Sequence, residues 1–206
     1  MSTEAYVYHA EGEGADGTLA FGFHGTGGSE MQTVPLLREL LPGAAIIAPR
    51  GDVSEGGAPR FFKRRAEGVY DMEDLARATE KMGSFVASHV AAMKPARVVG
   101  LGYSNGANIL ASVIFARPAL FSDAVLMHPL IPWTPKAVPV RTRVLITAGE
   151  EDPIGPPALT RALEAWFRCH GTKVAVHWHP GRHEIDASEI AASARFLGAP
   201  VLAGSA

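Results

Sequence analysis

A serine with a glycine two residues to either side, Gly102-Tyr103-Ser104-Asn105-Gly106, is the feature of this chain best suited to covalent chemistry. It follows the apolar run Arg97–Leu101, which reads as a buried parallel strand, and precedes Ala107–Ala116, which reads as a helix. In so tight a strand-to-helix turn the nucleophile sits in strained backbone, and the glycines remove Cβ atoms that would collide. The turn lifts the serine hydroxyl above the strand ends. It also aims the following backbone N–H groups, with the helix dipole behind them, at an oxygen gaining charge. A five-residue match is weak alone and much stronger between a strand and a helix; without the glycines such a serine is an ordinary cap or turn residue. The same stretch contains Gly100-x-Gly102-x-x-x-Gly106, a pattern also used by dinucleotide-binding turns. That use expects an acidic residue at the end of the next strand. The next strand, Ala124–Met127, runs instead into His128-Pro129, so the nucleophile reading ranks first.

A serine nucleophile needs a base, a group that orients the base, and donors for the oxyanion. Strands read at Tyr6–His9, Thr18–Phe23, Ala44–Ala48, Arg97–Leu101, Ala124–Met127, Arg143–Ala148 and Lys173–His179. Helices read near Thr33–Leu41, over Met72–Met93, where apolar residues recur at three- and four-residue spacing, and at Ala107–Ala116, Ala158–Phe167 and Asp186–Phe196. This alternation predicts an α/β fold with a mostly parallel central sheet and helices on both faces. Its active site belongs at the carboxyl ends of the strands. Three segments lie there: His24-Gly25-Thr26-Gly27-Gly28-Ser29, Gly149-Glu150-Glu151-Asp152-Pro153-Ile154 and Pro180-Gly181-Arg182-His183-Glu184-Ile185. For the acid, Asp152 competes with Glu150 and Glu151, and its place before Pro153-Ile154 favours it. For the base, His183 competes with His177 and His179, which share one strand face, whereas His183 lies beyond the strand. His24 reads as shaping its loop by hydrogen bonding. His177, His179, His183 and Glu184 also form a compact group of zinc-type ligands, but no HExxH or CxxC spacing accompanies them, and a metal hydrolase is the minority reading.

The order Ser104, Asp152, His183 and these landmarks, together with Pro49-Arg50-Gly51-Asp52 and Pro59-Arg60-Phe61-Phe62, resemble the serine α/β-hydrolases of the phospholipase/carboxylesterase family. That family includes acyl-protein thioesterases, is related in fold to dienelactone hydrolases, and has a branch of small bacterial carboxylesterases to which the likeness is greatest. The resemblance spans roughly residues 20–196. It implies an α/β-hydrolase fold without a separate lid domain, Ser104 as nucleophile, His183 as base and Asp152 as acid. It further implies an oxyanion hole from the Thr26 and Asn105 backbone N–H groups, and no cofactor or metal. Family members often dimerise, so a homodimer is possible by resemblance alone. Arg182 departs from the glycine that many members carry before the base, and a serine nucleophile departs from the cysteine of dienelactone hydrolases.

The remaining sequence narrows the setting. A chain of 206 residues with 47% hydrophobic and 19% charged residues is most simply one folded domain over 1–206, with the small residues 198–206 loosely held. A formal charge of -2 gives no electrostatic case for nucleic acid or acidic membranes. The single cysteine, Cys169, cannot form an intramolecular disulfide, and no signal peptide or apolar membrane-spanning run is visible, which suggests a cytoplasmic protein without membrane insertion. Residues 50–69 read as a glycine-rich basic loop and are the best candidate to cover the site. There Phe61 and Phe62 could line an acyl or aryl pocket while Arg60 meets an anionic group, with Tyr103 beside the nucleophile as a further substrate contact. Alternatively the two phenylalanines anchor a surface loop. Leu130, Ile131 and Trp133 offer an apolar wall, core packing or a subunit contact. The expected activity is hydrolysis of small to medium acyl esters. An acyl-thioesterase or lysophospholipase is the enzymatic alternative. A non-enzymatic ligand-binding relative is the other, and the complete Ser104/Asp152/His183 set argues against it.

Overall fold

A computed structural model describes residues 5–198; most of the expected tail, 199–206, lies outside them. Seven strands form the main sheet: β1 (Tyr8–Glu11), β2 (Thr18–Phe23), β3 (Ala45–Pro49), then β8 (Arg97–Tyr103), β9 (Asp123–Met127), β10 (Arg143–Gly149) and β11 (Val174–His179). Between β3 and β8 lie four short strands, β4 (Val53–Glu55), β5 (Ala58–Arg60), β6 (Arg64–Ala66) and β7 (Val69–Tyr70). The sheet order is β1-β3-β2-β8-β9-β10-β11, with β1 antiparallel to β3 and every other neighbouring pair parallel. This is the mostly parallel sheet that the alternation predicts and the α/β-hydrolase architecture that the resemblance implies.

Side-chain alternation along the strands divides the core in two. Leu19, Phe21, Phe23, Leu126 and Ile146 pack on one face of the sheet; Ala20, Leu101, Val125, Met127 and Leu145 pack on the other. Helices α2 (Met72–Met93), α3 (Asn105–Ala116) and α4 (Pro157–Cys169) cover the first face, and α1 (Val34–Leu40) and α5 (Ala187–Leu197) the second. The long β8 carries no side chain at Gly100 and Gly102 on the α3 face. A Cβ at Gly100 would lie 2.7 Å from Leu110, and one at Gly102 would lie 2.5 Å from the Gly106 carbonyl oxygen. Those glycines let α3 sit against the strand from which it has just turned.

Two sequence expectations need correction here. The first strand lies two residues later than Tyr6–His9, because it is an edge strand paired only with β3, while Tyr6 packs its ring 5.3 Å from Phe85. Residues 50–69 are not an open loop. They form two antiparallel hairpins, β4–β5 turning at Gly56-Gly57 and β6–β7 turning at Glu67-Gly68. Gly56 and Gly57 take φ values of 58° and 91°, the left-handed backbone that a two-residue hairpin turn needs.

The sharp turn into α3 gives a test. Gly106→Ala is expected to cost more than about 3 kcal/mol, because its Cβ would lie 2.0 Å from the Phe23 carbonyl oxygen. Gly57→Ala has nothing within 4 Å and should cost only about 1–2 kcal/mol through its backbone angle. Urea unfolding of both variants beside the parent measures the difference, and equal losses would remove close packing as the reason for Gly106.

Candidate active site

The six parallel strands of the sheet end on one rim, and the chemistry-bearing residues lie just past those ends. Ser104 follows β8 with φ 52° and ψ -116°, a conformation that costs a non-glycine residue about 1–3 kcal/mol. Its own N–H is bonded to the Met127 carbonyl at 2.9 Å, so the turn is held to the end of β9. The Ser104 Oγ lies 2.9 Å from His183 Nε2, and His183 Nδ1 lies 2.7 Å from Asp152 Oδ2. Because Nδ1 faces a carboxylate it carries the proton, which leaves the Nε2 lone pair to accept from the serine hydroxyl. Glu150 and Glu151 are both exposed, whereas Asp152 is buried. His177 instead meets Ser188 at 2.8 Å, and the Glu184 carboxylate accepts the Arg182 N–H at 3.0 Å, so the zinc-type group read in the sequence is not assembled.

The loop bearing Asp152 is shaped around its carboxylate. Oδ1 accepts the Ile154 N–H at 2.8 Å and the Gly155 N–H at 2.9 Å. Burial raises the Asp152 pKa, but the Gly155 N–H and the His183 and His128 imidazoles outweigh it and hold the pKa at about 2. The segment bearing His183 closes against β10, where a Cβ on Gly149 would lie 1.9 Å from the Arg182 carbonyl oxygen. The Arg182 side chain itself is exposed.

Thr26 and Asn105 both line the cavity in front of Ser104. Asn105 opens α3, so its backbone N–H has no acceptor within the helix. Its side chain accepts the Phe61 N–H at 2.9 Å, which ties the hairpins to the start of the helix. The Thr26 segment is fastened to the same hairpins by Gly27 N–H to Pro59 carbonyl at 3.0 Å and by Arg60 donating to Thr26 Oγ1 at 2.6 Å. Beneath it His24 is buried; its Nδ1–H donates to the Gly25 carbonyl at 2.7 Å and its Nε2 accepts the Gly51 N–H at 2.9 Å.

The cavity holds about 220 Å³. Arg60, Arg64, Glu67, Tyr103 and Leu130 line it. Phe61 and Phe62 do not: both are fully buried, Phe61 against Phe23 and His24 and Phe62 against Tyr70. The expectation of a phenylalanine pocket wall therefore gives way to the anchoring alternative, since two adjacent aromatics gain most by leaving water altogether. Arg60 is also buried, with its guanidinium committed to Thr26, the Phe62 carbonyl and Glu55. Tyr103 lines the cavity while its hydroxyl donates to the His183 carbonyl at 2.6 Å, so it fixes the loop of the histidine. Leu130 and Ile131 are core residues, and Trp133 packs edge-on to Tyr70.

Sequence reasoning missed His128. It follows β9 directly, is fully buried in its side chain, and brings Nδ1 to 3.0 Å from the Asp152 oxygen that His183 also contacts. The strand-end rule that picks out Asp152 and His183 applies equally to β9 and would have found it. Two groups of possible metal ligands share this residue, one with Asp152 and His183 and one with His179 and Glu189. In both, the His128 nitrogens face carboxylate oxygens at hydrogen-bond distance, an arrangement that protons already satisfy.

The dienelactone hydrolase family matches residues 58–185. MhqD of Bacillus subtilis, a hydrolase by name, is 35% identical over 185 residues, which are 88% of this chain and 92% of that protein. The chain belongs to the dienelactone hydrolase family. Among solved structures, a protein of unknown function from Agrobacterium tumefaciens is 50% identical with a TM-score of 0.92, over 96% of this chain and 98% of its own. A Bacillus cereus carboxylesterase is 32% identical with a TM-score of 0.87, over 93% and 92% of the two chains. The protein is thus a hydrolase of the α/β-hydrolase type. Among the described residues no helix is long and apolar enough to cross a membrane.

The low pKa of Asp152 sets an expectation for acid stability. Its folded value of about 2 lies below the ordinary carboxylate value, so the stabilisation is complete above about pH 4 and is lost as pH falls toward 2. Asp152→Asn should flatten the fall in stability between those pH values by on the order of 2 kcal/mol. Denaturant unfolding across that window reads it, and an unchanged slope would mean that Asp152 is not held ionised.

Proposed function

We propose that this chain is a serine esterase that hydrolyses small acyl esters through an acyl-enzyme. The observation that carries the reading is the continuous hydrogen-bonded line from Ser104 Oγ through His183 to Asp152, at 2.9 and 2.7 Å. In this mechanism His183 Nε2 takes the Ser104 proton as the oxygen attacks the acyl carbonyl, and Asp152 holds the imidazole and stabilises its charged form. The Thr26 and Asn105 backbone N–H groups receive the oxyanion, each contributing about 3 kcal/mol to lowering the barrier. Protonated His183 then gives its proton to the departing alcohol. Water, activated by the same nitrogen, releases the acid and restores Ser104.

Cavity size supports a short acyl group. The site's 220 Å³ is below the ~300–1,000 Å³ typical of pockets that enclose drug-sized ligands, and polar side chains such as Arg60, Arg64 and Asn105 share its lining. A long acyl chain of the lysophospholipase alternative would have to lie outside it. The Bacillus cereus neighbour is named a carboxylesterase, which supports an ester substrate.

Steady-state hydrolysis of p-nitrophenyl esters from acetate to palmitate tests both parts. Ser104→Ala should fold normally and lose about 10⁴-fold or more in kcat/KM. For the parent, acetate and butyrate esters should be turned over faster than palmitate. Equal rates for parent and variant would end the serine reading, and a palmitate optimum would end the small-acyl one.

A further inference from the structure

Behind Asp152 the hydrogen-bonded line continues into the protein interior. His128 Nδ1 is hydrogen-bonded to Asp152 Oδ2 at 3.0 Å and its Nε2 to Glu189 Oε2 at 3.3 Å, with Glu189 Oε1 at 3.1 Å. Both imidazole nitrogens therefore face carboxylate oxygens. With Asp152 and Glu189 both ionised, a neutral ring could donate to only one of them and would turn a lone pair toward the other, so the two contacts fit the doubly protonated imidazolium. His179 completes the group: its Nδ1 accepts the Gly181 N–H at 3.1 Å, and its Nε2 stands 3.7 Å from Glu189.

This group is expensive to bury and poorly explained by stability. The His128 and Glu189 side chains have no exposure, and a buried ion pair is often no more stabilising than apolar residues of the same size. His128 also has φ 52°. Among the described residues only Lys94 and Ser104 share a positive φ without being glycine, and Lys94 merely caps α2. A strained, buried, charged residue that shares an oxygen with the imidazole of the site calls for a role in the site.

We propose that His128 and Glu189 form a charge-compensating pair that holds Asp152 and sets its pull on His183. The inference rests on the serine-esterase reading above. His128 is a positioning residue: it touches Asp152 and not the reacting atoms. Its second hydrogen bond fixes the Asp152 carboxylate, but a cation there also offsets the negative charge that His183 needs. Glu189 restores that charge, so Asp152, His128 and Glu189 together present His183 with one net negative charge, the same as an isolated aspartate. Burial opposes the charge on His128, yet Glu189 and Asp152 outweigh it and its pKa is raised. The other groups facing the pair are His179 on β11 and the Tyr103 ring at 6.0 Å on β8. His183 itself faces Asp152, Ser104, the His128 ring at 5.1 Å and the Tyr103 ring at 5.6 Å, with Arg60, Arg64 and Glu67 lining the same cavity.

Charge, rather than shape, is what the test must separate. Glu189→Gln keeps an oxygen to accept the Asp186 N–H that caps α5, but leaves His128 uncompensated beside Asp152. The acidic limb of kcat/KM should move to lower pH by about half a unit or more, with kcat falling about three- to tenfold and KM little changed. His128→Gln with Glu189→Gln removes both charges, and the limb should return to within about 0.2 unit of the parent. A merely structural role would move stability and leave the limb in place. In the parent, ¹⁵N NMR of the histidine rings should show both His128 nitrogens protonated at pH 7, a readout independent of activity and of whether any variant folds. An unmoved or raised limb in folded Glu189→Gln, or a neutral His128, overturns the proposal. Failure of the serine reading would show separately, as activity surviving in Ser104→Ala.

Discussion

The closeness of α3 to the ends of β2 and β8 is the constraint on which the site depends. A Cβ at Gly106 would lie within 2.6 Å of three backbone atoms of Phe23 and His24, so the helix enters the sheet at the limit of backbone contact. That contact leaves Ser104 in a backbone conformation that residues other than glycine avoid, and it puts the unpaired N–H groups of the first helical turn at the rim. The hydroxyl and the N–H groups are positioned by one packing event. The cost in strain is met by two apolar cores, one on each face of the sheet.

The hairpins between β3 and α2 have a role different from the one their composition suggests. A run containing Arg60, Lys63, Arg64 and Arg65 looks like a charged flap, yet its phenylalanines and Arg60 point inward. Phe61 binds its backbone to the Asn105 side chain, and Pro59 and Arg60 bind the Thr26 segment. The two backbone donors proposed for the oxyanion come from segments far apart in the chain, and this one clamp touches both. Preorganised donors work because they need no rearrangement as charge develops, so the clamp belongs to the electrostatics of the site although its aromatics never meet the cavity.

The sequence made the parallel strands readable, because five-residue apolar runs between glycines and prolines have few other uses. It did not reveal β4 to β7. Strands of two or three residues are too short to show alternation, and only Gly56-Gly57 marks a turn. Ser104, Asp152 and His183 were readable because each occupies a strand end in a distinctive local motif. Phe61 and Phe62 were ambiguous, since burial against the sheet and burial against a ligand ask for the same residue type. Glu189 was hidden for another reason. In Asp186-x-x-Glu189 it forms a complete capping box for α5, and that local explanation exhausts what the spacing can say. Its contact with His128 joins residues 61 positions apart, and no local pattern encodes it.

Glu189 connects the helix to the chemistry. Its Oε2 accepts the Asp186 N–H at the start of α5, while the same carboxylate faces His128. The segment with His183 runs straight into that helix, so the capping residue and the imidazole lie on one short stretch of chain. A buried carboxylate held by both of these groups does not swing toward solvent. It keeps His128 charged, and His128 keeps the Asp152 oxygen where His183 needs it. On the opposite side Tyr103, next to Ser104 in the chain, donates to the His183 carbonyl and holds the same segment from the sheet. The histidine is therefore positioned through its backbone by β8 and through its ring by a buried line of charge reaching α5. On the serine-esterase reading, this division of labour lets a base on a loop keep the precision of the sheet.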